Sequence, residues 1–306
     1  MAKYRNNLPQ LSGNFFVTNG GLETTLIYHE NIKIPYFAAF DVLKDESGCE
    51  WMKNYLRKFL DVGQKYKVGF ILENAGWRAS SDWIKKLGYT DEDLVYFNTK
   101  SIELLEQVRK EYETDQYPIV LNASIGPRDD GYNSSVLMTP EQAQTYHSKR
   151  IDIISQTNAD MVTGLTLNYP EEAIGIVRAA KQYGMPVIIS FTVETDAHLP
   201  TGQTLKEAIQ IVDQATENGP EYYMINCAHP SVVQDLFTGD DGWTLRIHGI
   251  KGNASKKSHA ELDQSTELDD GNPLEFGEWA GLSSTISTEP TRPVSAIISI
   301  TSWASR

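Results

Sequence analysis

The sequence is short of cysteine, of positive charge and of long apolar runs, and each shortage excludes something. Two cysteines in 306 residues, Cys49 and Cys227, cannot build a disulfide framework. In a reducing compartment each is a free, buried or ligating thiol. Lys and Arg number 27 against 41 Asp and Glu, a net charge of 27 minus 41, or −14. That balance argues against nucleic acid or an anionic membrane as a partner, because both select Lys/Arg patches. The acid is scattered, so no acidic tail is read. No stretch approaches ~18 uninterrupted apolar residues, which leaves no candidate membrane span. The opening residues, MAKYRNNLPQLSGN, lack the apolar core of a signal peptide, and the expected location is the cytoplasm. No G-x-G-x-x-G follows the first apolar run, whose turn reads TNGGLETT, so a doubly wound dinucleotide fold is the weaker reading. No H-x-x-x-H or H-E-x-x-H spacing occurs, and His29, His147, His198, His248 and His259 read mostly as surface or capping residues.

What is present is a repeating pattern. Hydrophobic residues make up 40% and charged residues 22%, the balance of a globular chain. Short apolar runs recur at 14–21, 68–73, 118–126, 160–166, 186–194, 222–227 and 244–253. They are near-continuous in Val, Ile, Leu and Phe, as parallel strands buried on both faces require. Helical patterns separate them. Thr139-Pro140-Glu141-Gln142 reads as a capping box with Pro at the first helical position, and Thr204 with Glu207 as a second. Residues 170–184 place Ala173, Ile174, Val177 and Ala180 on one face, and Gly184 stops that helix. Residues 50–67 and 91–113 read as helices too. Repeated βα units predict a parallel sheet, and the length suits a (β/α)8 TIM barrel. The eighth strand can come only from VSAIISI, 294–300. One barrel domain over 1–306 is expected, with a Ser/Thr-rich, nearly uncharged stretch at 281–306 standing out from what precedes it.

A barrel carries its active site at the C-terminal ends of its strands. That rule selects Asn19-Gly20-Gly21, Glu73-Asn74, Asn122-Ala123-Ser124, Thr163 to Thr166, Thr192 to Glu194, Asn226-Cys227 and Asn253-Ala254-Ser255. Cys227 is the sharpest of these, since a thiolate is both nucleophile and soft-metal ligand. The bland alternative is a buried strand cysteine, and Cys49, at the start of a helix, is read that way. His229 forms a Cys-x-His pair with Cys227, a weak metal signal. Glu73 and Glu194 end apolar strands, where burial can raise a carboxylate's pKa or an ammonium can pair with it. Gly20-Gly21 allows close backbone approach or positive φ, or is an ordinary turn.

The pieces NGGLETTLIYHE, PYFAAFDVL, WRASSDWIKKLGY, ASIGPR, EEAIGIVRAAKQYGMPVIISFTVETDAHLPTGQ, YYMINCAHP and GNASKKSHAELDQSTELDDGNP, in that order over roughly 14–280, resemble the homocysteine S-methyltransferase family. The resemblance implies a zinc-dependent barrel that moves a methyl group from a sulfonium or ammonium donor onto the thiol of homocysteine, giving methionine. It implies three cysteine ligands to zinc: one in an N-C pair after the sixth strand, and two in a G-G-C-C-G stretch after the eighth. Cys227 matches the first. Nothing here matches the other two, and 281–306 holds neither cysteine nor histidine. The family's D-G-G turn is Asn19-Gly20-Gly21 here, and Leu165 stands near the glutamate that binds the substrate amine in many members. The strand-end positions and the resemblance together select Asn19, Gly20, Gly21, Glu73, Ser124 and Asn226 as substrate contacts and Cys227 as metal ligand, with Glu73 standing where it could replace the lost amine partner. Asn226 would act near the metal and Ser124 on the substrate carboxylate. Three readings stay open. One is a family member whose residues 281–306 have been replaced, as a frame change would do. Another is an intact metal-free homologue that binds or acts on a different small amino-acid-like ligand. The third is a structural or interaction barrel.

Overall fold

The computed structural model describes residues 2–132, 135, 137–237, 242–264, 268–269, 271–272, 274–278 and 297–301. Eight parallel strands, β1 (Phe16–Thr18), β2 (Gly69–Glu73), β3 (Ile119–Ile125), β4 (Met161–Leu167), β5 (Val187–Thr192), β6 (Tyr223–Asn226), β7 (Ile247–Asn253) and β8 (Ile297–Thr301), form a closed barrel in chain order. Closure is made by β8, which pairs with β7 from Gly249↔Ile297 to Asn253↔Thr301 and with β1 at Phe16↔Ile297 and Val17↔Ile298. The expected strand at 294–300 is thus present at Ile297–Thr301, while 281–296 and 302–306, the rest of the atypical stretch, lie outside the described residues.

The described helices include α1 (Leu22–Thr24), α2 (Glu46–Tyr66), α3 (Ser81–Lys86), α4 (Asp91–Tyr112), α5 (Pro140–Ser155), α6 (Pro170–Gln182), α7 (Leu205–Thr216), α8 (Pro230–Val233) and α9 (His259–Asp263). Both expected capping boxes close. Thr139 Oγ1 accepts the Gln142 N–H while the Gln142 side chain accepts that of Thr139, and Thr204 and Glu207 do the same. None of the described helices is long and apolar enough to cross a membrane.

Strand parity decides what fills the barrel. Phe16, Ile71, Val120, Met161, Ile188 and Met224 form one small cluster with Tyr222 and Leu8. Their strand neighbours Phe70, Leu72, Ile119, Leu121, Val162, Val187, Ile189, Tyr223 and Ile225 belong to the large cluster shared with the helices. The small cluster is the barrel's inner filling. Two residues further along each strand, the inner positions are Thr18, Glu73, Asn122, Thr163, Ser190 and Asn226, all buried and all polar. The interior therefore changes from apolar to polar partway up. The runs read as uniformly apolar in sequence because their outward positions pack on helices while the lower inward ones pack on each other.

The N-terminal segment stops the lower end. Arg5 donates to the carbonyls of Ser155, Thr157 and Ala159. Asp160, fully buried, accepts from Tyr4 N, Leu121 N and Arg109 Nη1 at 2.8, 2.9 and 2.8 Å. Chemistry is left to the upper end.

Candidate active site

The upper end holds a cavity of about 110 Å3, several times the roughly 10–15 Å3 that admits one water. Asn19, Gly20, Gly21, Glu73, Ser124, Asn226 and Cys227 all line it, so every residue selected as a substrate or metal contact comes to one place. Glu23, Arg78, Tyr132, Leu165 and Lys251 line it as well.

The turn after β1 is shaped by its own hydrogen bonds. Gly21 takes φ +65° and opens α1, a conformation that favours glycine. The Gly20 carbonyl accepts from Tyr55 Oη at 2.6 Å. The Asn19 side chain copies a strand. Its Oδ1 accepts the Glu73 N–H at 2.8 Å and its Nδ2 donates to the Glu73 carbonyl at 3.2 Å, which locks β1 to the top of β2.

Glu73 already has a charged partner within the chain. Its carboxylate accepts a hydrogen bond from Lys251 Nζ, which also donates to the Asn19 carbonyl at 3.1 Å. Glu73 is 6% and Lys251 8% exposed. Sequence reasoning passed over Lys251. The signal was available: a lone lysine in a strand buried on both faces needs an opposite charge, and Glu73 is such a charge in an apolar strand. Glu23 was also missed. Burial pushes its carboxyl above the usual range, opposed by its own backbone N–H and by the charges of Lys251 and Arg78.

Asn226 ties three strands together. Its Oδ1 accepts from Thr166 N at 3.2 Å and Ser190 Oγ at 2.7 Å. Its Nδ2 donates to Thr166 Oγ1 at 3.2 Å and to Cys227 Sγ at 2.9 Å. Thr166 and Cys227 both sit at positive φ, +64° and +65°, strained for residues with a Cβ. Cys227 Sγ has a second neighbour in Tyr132 Oη at 3.1 Å. Tyr132 comes from a loop with no periodicity to flag it. Burial, the largest influence, pushes the Cys227 thiol up, against the hydrogen bonds from Tyr132 and Asn226. Leu165 lines the wall with an apolar side chain, and its carbonyl accepts from Trp77 Nε1 at 3.3 Å. Ser124 is 3% exposed, and its Oγ has no partner among the described residues.

The histidines need correction. His229 caps α8: its Nδ1 accepts the Ser231 N–H at 3.2 Å and pairs with Ser231 Oγ at 2.7 Å, so that nitrogen is spent on the turn rather than on Cys227. His147 and His259 are buried, not on the surface. His147 Nε2 pairs with Glu172 at 2.9 Å. His259 pairs with Glu194 at 3.1 Å and with the Cys227 carbonyl at 2.9 Å. The buried Glu172 and the half-buried Glu194 supply the partners a buried imidazole needs. Glu194, though at a strand end, is thus engaged by a histidine. Cys49 is buried, with its thiol 3.6 Å from the Leu43 carbonyl, as the bland reading had it. Among the described residues, no three His, Cys, Asp or Glu side chains come together as a metal-holding group.

The sequence profile of a family described as homocysteine S-methyltransferase matches residues 16–279. A selenocysteine Se-methyltransferase from Brassica oleracea var. italica is 22% identical over 247 residues, which are 74% of this chain and 68% of that protein. Homocysteine S-methyltransferase 2 from Arabidopsis thaliana is 20% identical over 249 residues, 74% of this chain and 72% of that protein. Among solved structures, the metallated form of the Escherichia coli homocysteine methyltransferase MmuM superposes with a TM-score of 0.67 at 14% identity, covering 94% of this chain and 91% of that one. Its oxidized form gives 0.66 at 15% identity, with the same coverage. At such identities the structural likeness speaks for the fold.

Proposed function

Since this chain belongs to the homocysteine S-methyltransferase family, we propose that it transfers a methyl group from a sulfonium or ammonium donor to the thiol of homocysteine, giving methionine. The observation that carries the reading is that the family match spans 16–279, and with it every residue named on the cavity wall. In the reaction the homocysteine sulfur attacks the methyl carbon in line. A sulfur–carbon bond forms as the donor's sulfur–carbon or nitrogen–carbon bond breaks, releasing a neutral sulfide or amine. The sulfur must first lose its proton, because the thiolate is the nucleophile.

The family meets that requirement with zinc, held in a structural or catalytic site by at least three protein ligands. The described residues do not fit zinc. Cys227 offers one sulfur, and the groups touching it, Tyr132 Oη and Asn226 Nδ2, are a phenol and an amide. No step is therefore routed through a metal. What this chain's residues can do is hold the amino acid at the mouth, keep Cys227 beside it and shield the site. The expected methyl-transfer rate is accordingly low. The residues implied as substrate contacts are Asn19, Gly20, Gly21, Glu73, Ser124 and Asn226, with Cys227 the remaining element of a metal site.

The same reading makes residues 1–306 one barrel, with 281–306 an atypical stretch in place of the family's eighth strand and helix. Reading the gene through that stretch in the other frames tests this: a G-G-C-C-G sequence in another frame would identify a frame change. A cytoplasmic location goes with the scarcity of cysteine. One observation favours a second reading, a metal-free barrel acting on another amino-acid-like ligand: the Cys227 thiol already has two hydrogen-bonding neighbours and no co-ligand among the described residues.

Elemental analysis of the purified protein beside Cys227→Ser, with an assay for methionine formation, tests both readings. Zinc well below one per chain and slow methyl transfer are expected. About one zinc per chain, lost on Cys227→Ser, together with a robust rate, would refute the metal-poor account. Turnover of a different amino acid with none of homocysteine would favour the second reading.

A further inference from the structure

The cavity carries a charge pattern that methyl transfer does not by itself require. The Lys251 ammonium has three protons to donate. Two are committed, to the Asn19 carbonyl and to Glu73. The third has no partner among the described residues, and Lys251 lines the cavity. Glu23, at the opening of α1, lines the same cavity. Among the described residues its carboxylate makes no ion pair, though the charges of Lys251 and Arg78 act on it. The buried, unpartnered Ser124 Oγ completes the lining. A buried ammonium with a spare proton is costly unless a ligand completes it, and the half-buried Glu23 carboxylate has no cation paired to it on the same cavity wall.

We propose that the cavity clamps a zwitterionic α-amino acid, with Glu23 receiving its ammonium group and the free proton of Lys251 its carboxylate. The Ser124 hydroxyl adds a hydrogen bond to the bound molecule. Glu73 is then the counter-charge that holds and aims Lys251, and Asn19 fixes the Lys251 head through its carbonyl. This deepens the homocysteine reading and rests on it for the identity of the ligand. It differs in the residues it names: with Asn19 and Leu165 both uncharged, Glu23 takes the amine.

Isothermal titration of the purified full chain provides the test, using four probes: homocysteine, methionine, 4-sulfanylbutanoate, which lacks the amine, and 3-sulfanylpropan-1-amine, which lacks the carboxylate. Both amino acids are expected to bind about tenfold or more tighter than either truncated probe, the range for a hydrogen bond to a charged group. Glu23→Gln is expected to weaken homocysteine and the amine probe by about tenfold or more and to leave 4-sulfanylbutanoate unchanged. Lys251 is tested in the pair variant Glu73→Gln/Lys251→Met, which leaves no buried charge alone. It should weaken homocysteine and 4-sulfanylbutanoate and spare the amine probe. Melting curves of each variant establish that it is folded. Homocysteine binding that is unaffected by Glu23→Gln overturns the clamp and leaves the methyl-transfer reading standing. Glu23-dependent binding of methionine without binding of homocysteine upholds the clamp and overturns that reading. Failure of both amino acids to bind overturns the clamp.

Discussion

Replacing Asn226 with leucine tests the architecture of the site more directly than any other single change. The two side chains are similar in size, so little cavity is created and the cost is almost wholly polar. The Thr166 N–H, buried at the top of β4, loses its acceptor. A stranded buried amide costs about 1–3 kcal/mol. The Ser190 hydroxyl loses its 2.7 Å acceptor, worth about 1 kcal/mol. Thr166 Oγ1 and Cys227 Sγ lose only a donor, and a sulfur acceptor is weak. The sum is roughly 2–4 kcal/mol, less whatever strain Thr166 sheds by leaving its positive φ. A domain somewhat smaller than this one loses about 2–4 °C per kcal/mol, so the melting midpoint should fall by about 5–15 °C. Urea unfolding followed by tryptophan fluorescence gives the free energy. On a Ser190→Ala background the same substitution should cost about 1 kcal/mol less, since one partner is already gone. A loss under about 1 kcal/mol, or full additivity with Ser190→Ala, would refute the claim that Asn226 joins β4, β5 and β6.

Three other expectations follow from buried charge. Lys251→Met alone should cost about 3–5 kcal/mol by stranding Glu73, while the pair variant Glu73→Gln/Lys251→Met should cost far less; equal losses in urea unfolding would contradict the pairing. Asp160→Ala should cost about 3–5 kcal/mol, because Arg109 and two backbone amides lose their shared acceptor, and a midpoint within 2 °C of the parent would count against that hub. Burial, with Arg246 adding to it and a bond to the Leu245 carbonyl opposing, holds His248 below the usual histidine range. Below about pH 6.5 the unfolded chain then takes up the proton more readily than the folded one, so stability present above that pH is lost as pH falls. His248→Phe keeps a ring against Tyr222, and it should flatten the change in urea midpoint between pH 7.5 and 5.5; an unchanged slope would show that His248 does not contribute.

Much of this was readable in the chain because parallel strands buried on both faces must be continuously apolar outside. The runs at 118–126 and 186–194 contain β3 and β5 with one or two residues to spare at each end, and Cys227 reached the cavity because it ends one of them. What stayed hidden lay in alternation and in loops. Lys251 sits between two glycines in HGIKGN, where neither period shows, and its partner is 178 residues away in the chain. Tyr132 meets Cys227 across 95 residues from an irregular loop. His147 and His259 were misjudged because a histidine's burial depends on a carboxylate that sequence spacing does not reveal: Glu172 for one, Glu194 for the other.

The inner polar ring also bears on how the chain finds one alignment among many. Parallel strands of similar apolar composition can slide past one another at little cost where nothing distinguishes the steps. Here a slip of one residue would turn Asn122, Ser190 or Asn226 outward among the helices. It would separate Thr163 from Asn122, joined at 2.9 Å, and Ser190 from Asn226, joined at 2.7 Å. Each misaligned strand would bury stranded polar groups on an apolar face, at about 1–3 kcal/mol apiece. The residues that equip the mouth for a ligand thus also serve as a key, admitting one threading of the barrel and rejecting its neighbours.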